Sequence, residues 1–129
     1  NLLDSNMLES TKILAWERFS EMNGMQAIGE FFRNQAEPMA NRAMPGFSGI
    51  AQIPELVERG KKRAAWYYEQ LEKQLDQSQF VGTDRYTAAD ITALCVIDFG
   101  KAVGVPYPEN FNSINRWHNE VSGRPTTQV

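Results

Sequence analysis

Over the first quarter of the chain, apolar residues recur at helical spacing. Met7, Leu14, Met25, Ile28, Phe32 and Ala36 share one face of a segment from about Ser5 to about Asn34. That stripe predicts a core face. A second stripe of Trp16, Phe19, Met22, Asn23 and Gln26 lies roughly opposite, so the helix is expected to meet two different surroundings. Gly24 and Gly29 interrupt the pattern, each at about 1 kcal/mol against alanine, which predicts close packing or a bend as compensation. From Glu37 to Gly49 the prolines and glycines break any helix and predict a long connection. A second helix begins near Pro54, a residue suited to a first helical turn, and runs to about Gln77 with Val57, Ala64, Tyr67, Tyr68, Leu71 and Leu75 facing inward.

A third helix follows Thr87. Ile91, Leu94, Cys95, Val96, Ile97, Phe99, Ala102 and Val103 surround it on nearly all sides, the pattern of a helix buried in the middle of a domain. Gly104 supplies its stop, and Pro106 and Pro108 keep the following chain extended. The last helix, from about Asn110 to Ser122, aligns Phe111, Ile114, Trp117 and Val121 before Gly123. No segment reads as a strand. The fold class is therefore all-α, a bundle of about four to six helices without repeats or low-complexity segments.

Length and charge narrow the possibilities. With 129 residues, 42% hydrophobic and 22% charged, residues 1–129 read as one domain with an ordinary core. No run approaches the ~18 apolar residues of a membrane span, so the chain reads as soluble. A formal charge of −3 argues against nucleic acid or anionic membrane as a partner. The cluster Lys61-Lys62-Arg63 reads as the wet face of a helix. Cys95 is the single cysteine, which excludes an intrachain disulfide and fits a reducing, cytoplasmic compartment. The chain begins at Asn1 without an initiator methionine or a signal pattern, and a fragment is expected.

One carboxylate stands at the head of the most apolar run. Asp90 must be catalytic, bind a metal or be satisfied by hydrogen bonds, because burial otherwise excludes it. Thr87-x-x-Asp90 has the form of a capping box, in which the Thr87 hydroxyl accepts from the Asp90 amide and the carboxylate accepts from the Thr87 amide. Tyr86 and Ile91 are spaced for the accompanying hydrophobic staple. We therefore read Asp90 as a brace at the positive end of a helix dipole and not as a catalytic group. His118, the sole histidine, lacks a second ligand at metal spacing and reads as a half-exposed helix residue. Cys95 is expected in an apolar setting, protonated and inert. Asp98 lacks a capping role, and Arg116 or Lys101 is a plausible partner. Trp66, Tyr67 and Tyr68 point in different directions on a helix, so they read as core and interface packing and not as a stacking platform.

Phe80-Val81-Gly82-Thr83-Asp84-Arg85-Tyr86-Thr87-Ala88-Ala89-Asp90-Ile91-Thr92 resembles the signature of glutathione S-transferases, here with Thr83 before Asp84. Phe111-x-x-Ile114-x-x-Trp117, followed by Gly123-Arg124-Pro125, looks like the closing motif of that family. Trp16-Glu17-Arg18 and Phe32-Arg33-Asn34 are reminiscent of a bacterial and fungal subgroup. The resemblance covers the last half of the chain most strongly, and it is to the C-terminal helical domain alone.

By that resemblance the parent protein carries an N-terminal thioredoxin-like domain that binds glutathione and holds the activating hydroxyl or thiol. No catalytic residue and no cofactor site is then expected in this chain, with glutathione the cosubstrate of the whole protein. The resemblance further implies a homodimer built partly on the first two helices. The helical domain would add an apolar wall for a small hydrophobic electrophile, and the second stripe of the first helix, Trp16, Phe19, Met22 and Asn23, has that character. These residues could equally pack against the other domain or a second subunit. A non-catalytic module used for protein assembly, like the family's relatives within translation factors, is the rival function.

Overall fold

Residues 5–124 are described by the structure, a computed structural model, and among them five α-helices pack around one core. They are α1 (Ser5–Ser20), α2 (Gln26–Arg33), α3 (Glu55–Gln77), α4 (Ala88–Val103) and α5 (Asn112–Ser122). A π-helical turn, Glu21–Met25, joins α1 directly to α2, and a 3-10 turn, Glu37–Met39, opens the connection to α3. No strand occurs among the described residues, in line with the sequence pattern; only an isolated bridge, Arg42 to Ile50, ties the connection to itself.

The expected first helix is thus one rod with an extra residue wound into it. That residue rotates everything before it relative to everything after it. Ile28 is fully buried and Met25 and Phe32 are half-buried, but Met7 and Leu14 are 50% and 53% exposed, so the expected core stripe holds only beyond the π turn. On the other side of it the inward residues are Ile13 and Ser20, whose hydroxyl shares a hydrogen bond with that of Tyr67 at 2.7 Å. Gly24 lies within the π turn against α3 and α4. A Cβ there would fall 2.7 Å from Val96 Cγ1 and 3.0 Å from the Tyr67 ring. Close packing therefore accounts for this glycine. Gly60 does the same where α2 meets α3, since its Cβ would stand 2.7 Å from the Ala27 carbonyl and the Phe31 amide.

The core gathers Ile28, Tyr67, Leu71, Val96, Ile97 and Trp117 from all four long segments. Tyr68 donates to the Val105 carbonyl at 2.6 Å, tying α3 to the chain beyond α4. That chain turns at Gly104, whose φ of 94° is the left-handed conformation expected of a helix stop, and the Val105 amide closes back on the Gly100 carbonyl at 2.8 Å. α4 is less enclosed than its composition suggested. Val96, Ile97 and Ala93 are buried, whereas Ile91, Cys95, Asp98 and Ala102, spaced three or four apart, form a stripe facing outward. Cys95 is accordingly an exposed thiol and not one in an apolar interior.

Asp90 is fully buried and binds three elements at once. Its Oδ2 accepts from the Thr87 amide at 2.9 Å, the return half of a capping box in which the Thr87 hydroxyl accepts from the first-turn amides. Its Oδ1 accepts from the Val81 amide at 2.9 Å and from the Trp117 indole at 2.8 Å. The carboxylate therefore joins the 78–87 loop, the start of α4 and the middle of α5. Ile91, the residue spaced for a staple, remains 41% exposed, and the Tyr86 ring meets Phe80 and the Arg124 guanidinium. Asp98 pairs with neither Arg116 nor Lys101. It meets His118 Nε2 at 2.9 Å, while Arg116 donates to the carbonyls of Leu75, Ser78 and Gln79 and closes the end of α3.

Replacing Asp90 by alanine strands two buried donors as well as the cap. We expect Asp90→Ala to cost about 3–5 kcal/mol, read as a fall of about 10–20 °C in the melting temperature by circular dichroism. An unchanged melt would remove the brace. Burial also holds the Tyr67 and Tyr68 phenols above their ordinary ionisation range, in spite of the Ser20 hydrogen bond that lowers Tyr67. A raised folded-state value means that the unfolded chain loses these protons first. Their contribution is complete below pH ~10 and declines above it, by about 1.4 kcal/mol per pH unit for each phenol. Urea midpoints measured across that range should fall, and the fall should be shallower in the Tyr67→Phe, Tyr68→Phe double variant.

Candidate functional site

Two surface grooves border the rod formed by α1 and α2. The first, about 490 Å³, lies between α1 and the second half of α3 and contains Trp16, Phe19, Gln70, Lys73 and Gln77. Trp16 and Phe19 meet edge to face with centroids 5.2 Å apart, and Phe19 continues to Trp66 at 5.5 Å and Tyr67 at 5.7 Å. Of the four residues expected to form an apolar wall, the structure brings these two together. Met22 and Asn23 do not line that groove, because the π turn carries them past it. Met22 is 56% exposed, and its carbonyl accepts from Arg63 at 3.0 Å.

The second groove, about 670 Å³, lies beyond the π turn and is the more apolar. Met25 and Gly29 come from the π turn and α2, Met44 from the connection, Leu56 from α3 and Phe99 from α4, with Arg33 also on its lining. Sequence reasoning did not find it. Its parts are scattered over four segments, and only Gly29 gave a signal, as a helix glycine in need of an explanation. The structure supplies one: a Cβ at Gly29 would meet nothing within 4 Å, so the missing side chain opens the groove and no packing contact demands it.

Polar groups on this side are held firmly. Asn34 Oδ1 accepts from the Ile53 amide at 3.0 Å, and Gln52 donates to the carbonyls of Arg33 and Ala36 at 3.0 and 2.8 Å. These bonds pin the long connection against the end of α2. Glu30 is clasped by two arginines, with Arg59 Nε at 2.8 Å and Arg63 Nη1 at 2.7 Å, so part of the basic cluster read as a wet face is a built ion-pair network. The Glu30 contact raises Arg59 above its ordinary value.

No group of three or more metal-ligating side chains exists among the described residues. His118 is half-buried and engaged by Asp98, while the Ser122 hydroxyl stands 3.4 Å from both ring nitrogens. A hydroxyl equidistant from both is not aimed at a base, so this trio lacks the geometry of an activated nucleophile. No helix among the described residues is long and apolar enough to cross a membrane.

Residues 23–125 match the glutathione S-transferase C-terminal domain family. No curated protein matches the sequence significantly. Among solved structures, the chain is similar to a class Gtt2 glutathione S-transferase of Vibrio parahaemolyticus, with 27% identity and a TM-score of 0.72 over 97% of this chain and 55% of that one. A glutathione S-transferase domain-containing protein of Marinobacter aquaeolei superimposes with a TM-score of 0.81 at 24% identity, covering 92% of this chain and 56% of the other. Gtt2 of Saccharomyces cerevisiae gives 0.80 at 18% identity, over 92% and 54% of the two chains. The last two likenesses concern the fold. The chain spans about half the length of the solved relatives it matches.

The two rod glycines separate packing from opening. Gly29→Ala should raise stability by about 0.5–1 kcal/mol, the ordinary gain of alanine within a helix, whereas Gly24→Ala should lose about 1–3 kcal/mol to overpacking. Denaturant midpoints of the two variants, measured side by side, check this; like signs would contradict the assignment.

Proposed function

The chain belongs to the glutathione S-transferase C-terminal domain family, and from that premise we propose that it is the helical half of a cytoplasmic glutathione transferase, whose thioredoxin-like half binds and activates the thiol. This half adds a wall for a small hydrophobic electrophile. The observation that carries the reading is the groove at Gly29: concave, given apolar residues by four segments, and lined by a residue whose side chain is absent where one would fit. Surfaces of that kind take up apolar ligands and leave few polar groups unpaired.

In such an enzyme the chemistry divides between the halves. Donation of a hydrogen bond to the thiolate lowers the thiol pKa and makes the nucleophile. The helical half then works by positioning, holding the electrophilic carbon near the sulfur while apolar walls exclude water. α2 and α4, which contribute Gly29 and Phe99, suit that task because both are held in the core.

A second reading is favoured by the open groove beside Trp16 and Phe19, which keeps the wall on α1 as the sequence suggested. In the first reading, that aromatic surface with exposed Trp66 and Met22 is left for a second subunit of a homodimer. The rival of a non-catalytic assembly module predicts no thiol chemistry from either groove.

Full-length protein carrying Gly29→Leu or Phe19→Ala discriminates among these. Filling the Gly29 groove should lower kcat/KM for a bulky aromatic electrophile by about tenfold or more and leave the KM for glutathione unchanged. Phe19→Ala should then act equally on all electrophiles or not at all. The reverse pattern would transfer the site to α1, and a wild-type protein that conjugates no electrophile would favour the assembly module.

A further inference from the structure

The Gly29 groove is apolar but its rim is cationic, and the rim tells what kind of apolar molecule it takes. Arg33 lines the groove, and Arg42 stands beside it on the adjoining face of the connection. Arg33 donates from Nη1 to the Arg42 carbonyl at 3.2 Å, and Arg42 donates from Nη2 to the Pro38 carbonyl at 2.9 Å. Neither has a carboxylate partner among the described residues.

The acid that lines the same groove, Glu30, is not available to them. Both of its oxygens are engaged by Arg59 and Arg63. Glu30 is thus neutralised by its own two arginines, and Arg33 is left as a cation on the groove lining without a carboxylate partner, in a chain whose formal charge is −3. Charge of that sign in an acidic chain draws anions to one place.

The Arg33 fork is also only half used. With Nη1 committed to a carbonyl, Nε and Nη2 present one open edge, the pair of donors that matches a carboxylate bidentately. We propose that the groove selects amphipathic monocarboxylates, with the apolar body lying among Met25, Met44, Leu56 and Phe99 and the acid head on the open edge of Arg33. This rests on the reading of the groove as the electrophile wall, and it names the substrate class: apolar acids carrying the electrophilic centre, in preference to neutral or cationic molecules of the same shape.

The test uses octanoate and 1-octanol, which share an apolar body and differ in charge, with the full chain labelled on the methyl groups of its five methionines. Octanoate should shift Met25 and Met44 and bind about tenfold more tightly than the alcohol, with the difference shrinking at high salt. Arg33→Gln should bring octanoate down to the affinity of the alcohol, and Arg33→Lys should restore part of the preference. Equal binding of the two probes at Met25 and Met44 would overturn the acid preference and leave the groove standing as an apolar site. Absence of shifts at both methionines would overturn the groove reading together with the preference. The comparison of acid and alcohol on the unmodified chain decides the matter even if a variant fails to fold.

Discussion

A single buried carboxylate sets the geometry on which the rest of this domain depends. Asp90 opens α4, yet its oxygens reach backward to Thr87, sideways to Val81 and across to Trp117 on α5. An ion without such partners would be expelled from the interior or neutralised there. With three donors converging on it, and with the positive end of a helix dipole beneath it, the same ion becomes a three-way junction. Phe99 lies nine residues along α4, about 13 Å from that junction, so fixing how the helix enters the core also fixes the wall it lends to the Gly29 groove.

The glycines and the π turn supply the complementary half of the design. At Gly24, Gly60 and Gly100 the missing side chain lets helices or a tyrosine hydroxyl approach, and any Cβ would collide. At Gly29 the missing side chain has no neighbour to make room for and leaves the groove open. The π turn between α1 and α2 separates two surfaces of the rod, an aromatic one around Phe19 and an apolar, cation-rimmed one around Gly29. One long helix therefore presents two unlike grooves. The sequence pattern places two stripes on opposite sides along the whole helix, whereas the π turn divides the surfaces end to end.

Much of the fold was legible in the sequence because the signals were local. Thr87 and Asp90 announce a capped start, Gly104 a stop, and the spacing of Tyr67, Tyr68, Leu71 and Leu75 an inward face; each rests on neighbours within one or two turns. Met7 and Leu14 were misplaced because the periodicity has no mark for one extra residue wound into a helix. Cys95 was misplaced because composition counts apolar residues without saying which side of α4 the domain covers. The second groove was invisible for a different reason. Met25, Met44, Leu56 and Phe99 meet only after α2, α3, α4 and the long connection have packed, and no spacing in the sequence encodes that meeting. The partner of Asp98 is likewise a contact between α4 and α5: the sequence offered Arg116 on α5 or Lys101 on α4, but nothing in it shows that His118 is the α5 residue turned toward α4.

The function follows from the division of labour that the family implies. In the proposed reading the reactive groups lie in the other half of the protein, and this half contributes shape, dryness and charge at the groove lined from α2 and α4. That contribution is only as good as the frame, so the frame is what most needs testing. Native-state hydrogen exchange of the Trp117 indole N–H, followed by nuclear magnetic resonance, reads the junction directly. If Asp90 holds the three elements together, this proton exchanges only through global unfolding, as slowly as the most protected amides of α3 and α4. Exchange orders of magnitude faster than those amides would show a junction that opens on its own, and would contradict the account.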